Sequence, residues 1–395
     1  MKKVILAFSG GLDTTFCTLH LIEKGFQVIT AIVDSGGFTK KQLKKAEERA
    51  YSLGATKHYC IDVKEKIYDS VIDYAIKFNS LYEDDYPLMC SDRYIIASEI
   101  AQIAKKEKAN FVAHGSTANG NDQVRFDSAF LCVAPNLTIL CPIKYLNISR
   151  EEEIAYLDER GVPFESSNRK YSINENVFGI TYSGSEIDEG TEPEESLFKL
   201  TKIDNKISKT QSDYFTIDFD RGSPVALDGV KKHGLTILSS LNMLVGKYGF
   251  GRGLYVGDCI IGIKGRIAFE APGLLTLIKA HKKLEQLCMT KRQLKFSKYA
   301  SDVWTDLVYG GQYFEPLTRD LETFCDSVQG QVCGRVKLKI SVLGLSVVEV
   351  ITDRSLLKNS VAMYAQRGSW DAKQADGFIK LYTLQQKIAS QRKKS

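Results

Sequence analysis

The run Val4-Ile-Leu-Ala-Phe8 passes directly into Ser9-Gly-Gly-Leu-Asp-Thr-Thr15. A short apolar run, a pair of glycines with hydroxyls, and then helical periodicity read as buried strand, tight turn and helix. Such a βα turn belongs to a parallel sheet, whose ligands lie at the carboxyl ends of its strands. Gly10 and Gly11 let main-chain N–H groups approach a ligand, and Ser9, Thr14 and Thr15 add hydroxyls. The start of a helix favours an anion at that point, so the turn is predicted to hold a phosphate chain. No Gly-Lys-Ser/Thr follows, so it is not a Walker A loop. The glycines are adjacent, so it is not the dinucleotide fingerprint either.

The next segments repeat the alternation. Helical periodicity over 13–24 ends at Gly25, and 28–33 reads as a strand closed by Asp34-Ser-Gly-Gly37. Thr39 and Gln42 make a capping box for a helix through Ser52, followed by a strand at 59–63. Residues 65–80 and 92–107 are helical in period, 111–113 and 138–141 read as strands, and Ser149 with Glu152 caps a helix closing at Gly161. This predicts an α/β parallel-sheet domain over residues 1–165.

Beyond Pro163 the texture changes. An acidic loop over 183–196 precedes strands at 214–219, 254–263 and 336–351 and helices at 234–247, 273–291 and 296–309. Gly249-Phe-Gly-Arg-Gly253 reads as a helix-ending turn, and there is no internal repeat. The expectation is an α+β second domain over 166–365 and a C-terminal helix and tail over 366–395, exposed or covered by a partner.

Composition excludes several classes. A net charge of +5, from 53 basic and 48 acidic residues in 395, is too mild to require a nucleic-acid partner. No apolar run approaches the ~20 residues of a membrane span. The first apolar run is too short for a secretion signal, which predicts a cytoplasmic protein. Nine cysteines without a CxxC pair weaken zinc-ribbon and redox-dithiol readings and fit a reduced compartment. His20, His58, His233 and His281 have no partners at metal-ligand spacing, and no metal ligands are assigned from spacing. His114 and Cys90 are expected to pack rather than react.

A second polar string, His114-Gly-Ser-Thr-Ala-Asn-Gly-Asn-Asp-Gln-Val-Arg-Phe-Asp127, also follows a predicted strand. Thr117, Asn121 and Asp122 are suited to an amino acid's carboxylate and amine, and Arg125 to a carboxylate through its planar fork.

The Ser9–Thr15 string resembles the pyrophosphate loop of the N-type ATP pyrophosphatases, which implies an adenine nucleotide alpha-hydrolase-like fold. Together with Leu81-Tyr-Glu-Asp-Asp-Tyr86, Tyr171-Ser-Ile-Asn-Glu-Asn176, Gly262-Ile-Lys-Gly-Arg266 and Gly377-Phe-Ile-Lys380, the chain resembles the argininosuccinate synthases nearly end to end. The resemblance implies a C–N ligase of arginine biosynthesis and the urea cycle. It joins aspartate to the ureido carbon of citrulline through a citrullyl-AMP intermediate and releases AMP and pyrophosphate.

Residue by residue, the resemblance implies ATP binding by Ala7, Phe8, Ser9, Gly10, Gly11, Leu12, Asp13, Thr14 and Thr15, with Val33 and Gly115. It implies aspartate binding by Thr117, Asn121 and Asp122, and citrulline binding by Tyr86, Ser91, Asn121, Arg125, Ser172 and Thr181. Asp13 and Asp122 are the expected catalytic carboxylates. Asp122 is the candidate acceptor of the amine proton, with phosphate oxygens competing. Both carboxylates are candidate partners of Mg2+, direct or through water. The resemblance further implies a homotetramer with the C-terminal helix reaching across subunits.

The chain departs from the family pattern in places. Thr181 replaces a serine, Arg93-Tyr94 replaces arginine-proline, and a glutamate and a tyrosine that contact citrulline become Gly257 and Phe269. Losing a carboxylate beside an ammonium is tolerable if the substrate nitrogen is N-acylated, or if Asp258 or Glu270 fills in. An N-acetyl- or N-succinyl-citrulline acceptor, another ureido acceptor, a tRNA-thiolating or amidating relative, and a silent nucleotide-binding protein are the rival readings.

Overall fold

The computed structural model describes residues 2–162, 164, 171–208, 210–358 and 360–392. The expected boundary at 165/166, Pro163 beside it and the last three residues lie outside the described residues.

Strands β1 (Lys2–Ala7), β2 (Phe26–Asp34), β3 (Lys57–Asp62), β4 (Phe111–Ala113) and β5 (Thr138–Leu140) form a parallel sheet in the order β3-β2-β1-β4-β5. Val4, Ile5 and Leu6 are wholly buried because helices cover both faces. Ile5, Ile29 and Val33 join the core that includes Ala97 and Ile100 of the Asp92–Glu107 helix. Val4, Leu6 and Ile32 face Phe16, Leu21 and Ala46 on the other side. The chain runs from β1 one way to β2 and β3, then returns to β4 and β5 on the opposite flank. The switch of direction opens a crevice between the ends of β1 and β4, where ligands of such sheets bind. The two polar strings emerge from those two ends.

The remainder contributes β6 (Ser172–Asn176), β7 (Gly179–Ser183), β8 (Ser212–Asp220), β9 (Ser223–Leu227), β10 (Val230–Lys231), β11 (Arg252–Asp258), β12 (Lys264–Glu270), β13 (Gly334–Ser341) and β14 (Gly344–Ile351). They form two antiparallel sheets, ordered β11-β12-β7-β6 and β10-β9-β8-β13-β14. Helices Gly234–Gly246, Pro272–Cys288, Lys291–Tyr309 and Pro316–Gln329 complete this part.

Several expectations are corrected. The strand expected at 254–263 ends at Asp258, and Cys259–Ile263 closes a hairpin with Gly262 at φ 84°. The strand expected at 336–351 is likewise two strands, reversed before Gly344 at φ 114°. Both misreadings joined apolar runs across turns marked by a single glycine. The helix at 65–80 ends at Lys77 and contains a π-helical turn at Tyr68–Ile72. The acidic loop holds a short helix, Glu186–Glu189, pinned by buried Ile187. Strand β6 had no hydrophobic signature because most of Ser-Ile-Asn-Glu-Asn is exposed.

The β6–β7 hairpin leans over the parallel sheet and walls the crevice. Val177 N–H donates to the Ser35 carbonyl at 2.8 Å, and Asn176 Nδ2 donates to the Met89 carbonyl at 2.7 Å. A Cβ on Gly37 would lie 2.1 Å from the Glu175 carbonyl oxygen, so only glycine permits this approach.

Candidate active site

The crevice is a cavity of about 820 Å³, within the usual size for a small-molecule site of roughly 300–1,000 Å³. One wall is the turn after β1. Ala7, Phe8, Ser9, Gly11 and Thr14 line it, and Gly10 turns at φ 74°. Ser9 Oγ receives Gly11 N–H at 3.3 Å and lies 3.2 Å from Thr14 Oγ1, so the hydroxyls shape the turn that presents the helix start. Arg49 on the capped Lys40–Ser52 helix donates to the Gly10 carbonyl at 3.2 Å, and Ala46 packs on Gly10. Val33 and Gly115 line the cavity as expected. Leu12 and Thr15 are buried and are not among the residues that line it.

Asp13 also lies outside the lining and faces Glu153, which is almost fully buried. Burial raises both carboxyls, and the charge of Asp13 helps to push Glu153 up to about 8. Burial and the neighbouring Asp13 charge both favour the protonated form of Glu153. No local pattern marks this pair, because its members stand 140 positions apart.

The opposite end is built by the Asn121–Val133 helix, whose first turn carries Asp122. Asp122 Oδ2 accepts from Arg93 Nε at 3.0 Å and Oδ1 from Arg125 Nη1 at 3.1 Å. Burial opposes its ionisation, but the two guanidiniums outweigh this and hold its pKa below the ordinary range. Arg93 also donates to Asp92 at 2.8 Å and to Asn174 of β6 at 3.3 Å, tying this end to the second part of the chain. Arg125 donates to the Tyr309 carbonyl and lies over the Tyr309 ring at 4.9 Å.

The other expected residues surround this centre without all reaching it. Asn121 spends its amide on protein: Oδ1 accepts from Ile260 N–H at 3.0 Å and Nδ2 donates to Tyr309 Oη at 3.4 Å. Tyr86 is buried, Ser91 donates to the Leu88 carbonyl at 2.8 Å, and Thr117 and Ser172 are exposed. Thr181 pairs in the ladder between Asn174 and Phe269. His114 is buried against Phe126, with Nε2 2.8 Å from Asp127 Oδ1. Burial works against its charge, but Asp127 and Cys141 raise it to about 9. Burial raises the Cys90 thiol, so it is no nucleophile.

One cavity therefore reaches from the turn after β1 to the arginine-held Asp122 carboxylate. The "Arginosuccinate synthase N-terminal HUP domain" matches residues 3–163, and the "Arginosuccinate synthase C-terminal domain" matches residues 171–389. The chain belongs to the argininosuccinate synthase family. It is 40% identical to "Argininosuccinate synthase" of Sulfurisphaera tokodaii over 98% of this chain and 99% of that one. It is 39% identical to the Xanthomonas campestris protein of the same name, covering 99% and 98%, and 40% to that of Pyrococcus furiosus, covering 98% and 94%.

Within this argininosuccinate synthase framework the departures acquire a structural account. Glu270 cannot replace a lost citrulline contact. It is wholly buried and accepts from Tyr182 Oη, Lys199 N–H, and both N–H and Oγ1 of Thr201. Asp258 cannot either, since its carboxylate pairs with Lys264 at 2.6 Å on the surface. Glu83 occupies the space beside Gly257: its Oε2 stands 1.9 Å from where a Cβ on Gly257 would lie, and 2.9 Å from Tyr255 Oη. This contact joins distant segments, so residue spacing does not reveal it.

Proposed function

We propose that this chain ligates aspartate to citrulline at the expense of ATP, releasing AMP, pyrophosphate and argininosuccinate. The observation that carries the reading is the single cavity that joins the Ser9–Thr14 turn to the arginine-held Asp122. A ureido oxygen is a poor leaving group. Its attack on the α-phosphorus, with pyrophosphate departing, converts it to an AMP ester. The aspartate amine then attacks the ureido carbon, and AMP leaves. The turn's N–H groups and helix start stabilise the phosphate chain, and Asp122 orients the amine. A carboxylate held below its ordinary range is a weak base, so the amine proton passes to a phosphate oxygen rather than to Asp122.

We favour free citrulline as the acceptor, because the Glu83 carboxylate beside Gly257 offers a negative charge that could meet its ammonium. N-acylated citrulline has no such observation behind it. Magnesium is expected with ATP, but Asp122 is occupied by two guanidiniums and Asp13 is turned to Glu153. Neither fits as a direct ligand, and no cluster of three or more metal-ligating side chains occurs among the described residues. The metal is therefore assigned to phosphate oxygens and water.

The division into 1–165, 166–365 and 366–395 remains our proposal, with a homotetramer in the cytoplasm. The helices Ala372–Tyr382 and Leu384–Ser390 bury no residue, and Phe378, Leu381, Tyr382 and Ile388 are exposed, which suits a partner subunit. No helix of the described residues is long and apolar enough to cross a membrane. The test is incubation with ATP, magnesium and aspartate plus citrulline or N-acetylcitrulline, read by mass spectrometry. Argininosuccinate with equimolar AMP is expected from citrulline. Product only from the acylated compound, or no AMP, would refute the assignment.

A further inference from the structure

The triphosphate of ATP and the departing pyrophosphate are strongly anionic, yet the Ser9–Thr15 turn supplies no cationic side chain to them. Among the described residues, the basic side chains lining the cavity are Arg93, His114 and Lys199. Arg93 is committed to Asp92, Asp122 and Asn174, and His114 to Asp127. Lys199 is in a different state. Its Nζ stands 3.5 Å from Glu175 Oε2, beyond ordinary hydrogen-bond length, with side chains 55% and 41% exposed.

The base of Lys199 is nevertheless fixed. Its N–H donates at 2.9 Å to Glu270, the buried carboxylate that also binds Thr201 and Tyr182. The head, in a loose ion pair with Glu175, thus sits on an anchored stem. Lys199 lines the same cavity as the Ser9–Thr14 turn. Glu175, its loose partner, presses its carbonyl on Gly37, which leads into the helix capped by Thr39. That helix packs Ala46 on Gly10 of the phosphate turn.

We propose that Lys199 is a catalytic residue that leaves Glu175 for the β and γ phosphates of ATP and stabilises departing pyrophosphate. The proposal rests on the function proposed above. In the step it assists, the bond from the ureido oxygen to the α-phosphorus forms. The bond from that phosphorus to the bridging oxygen breaks, and its electron pair leaves with pyrophosphate. Lys199 remains protonated throughout and contributes charge alone.

The experiment compares the full-length wild type with Lys199→Met, Lys199→Arg and Glu175→Gln. It measures KM for each substrate, kcat, and product inhibition by pyrophosphate. For Lys199→Met we expect KM for ATP and the pyrophosphate inhibition constant to rise on the order of tenfold. We expect kcat to fall at least as much, with KM for citrulline and aspartate unchanged. Lys199→Arg should recover most of the loss, and Glu175→Gln should lower KM for ATP. Unchanged ATP and pyrophosphate parameters in Lys199→Met, or a loss confined to KM for citrulline or aspartate, would overturn the proposal. Failure of the wild type to form AMP would instead refute the function. Binding of pyrophosphate alone by calorimetry, unaltered by Lys199→Met, would still count against Lys199.

Discussion

Arg93 Nε lies 3.0 Å from Asp122 Oδ2, and the same guanidinium reaches Asn174 on the β6 hairpin. One side chain therefore helps to keep the Asp122 carboxylate ionised and fastens the wall that closes the cavity. Replacing it with methionine removes both functions. We expect kcat/KM for aspartate to fall on the order of a hundredfold, because a small misplacement of the amine is costly. Asp122 should also titrate higher, moving the acidic limb of the pH profile for kcat/KM upward. A uniform drop at every pH would contradict the electrostatic part of this role.

Glu83→Gln tests the counter-charge at Gly257. It keeps an acceptor for Tyr255 Oη but removes the negative charge. KM for citrulline should rise about tenfold, and the preference over N-acetylcitrulline should shrink by a similar factor. Steady-state kinetics with both acceptors decides it, and an unchanged preference would exclude Glu83 from recognition of the ammonium.

Gly37→Ala places a methyl group 2.1 Å from the Glu175 carbonyl oxygen. Backbone must move, which costs about 1–3 kcal/mol in a well-packed contact. The β6 wall should retreat, raising KM for ATP and lowering Tm by several degrees. Gly25→Ala provides the comparison, since a Cβ there meets nothing within 4 Å although its φ of 81° is strained. It should lower Tm without changing KM.

The protonated Glu153 makes stability depend on pH. Its ordinary value of 4.5 rises to about 8 in the folded chain, mainly through burial and then through Asp13. The folded state thus holds a proton that the unfolded state releases above its ordinary value. The stabilisation is present below 4.5 and is lost as pH climbs to about 8. Glu153→Gln should melt like the wild type around pH 5 and several degrees above it at about pH 8. Parallel melting curves across that range would show that Glu153 carries no upward shift in the folded chain.

Much of the fold was legible because its cues are local. The apolar runs Val4–Leu6 and Val28–Val33, the Thr39/Gln42 and Ser149/Glu152 boxes, and the glycines after the helices mark elements by neighbouring residues. The polar strand β6 escaped because its stability comes from pairing with β7, not from its own pattern. At the site, the phosphate turn was readable for the same local reason. Arg93 holding Asp122, Glu83 filling the space at Gly257, Glu153 beside Asp13 and Lys199 beside Glu175 are contacts between distant segments. Nothing in residue spacing encodes them. The substitutions at 257 and 269 are visible in the sequence, but the approach of Glu83 to Gly257 is not, because it comes from another part of the chain.

The central claim is that the ureido oxygen attacks ATP at the α-phosphorus. Citrulline carrying a heavy oxygen isotope in its ureido group, turned over once with ATP and aspartate, tests it directly by mass spectrometry. The account predicts that the label appears in AMP, one heavy oxygen per molecule, with none in pyrophosphate. Unlabelled AMP, or label released as phosphate with ADP, would contradict it.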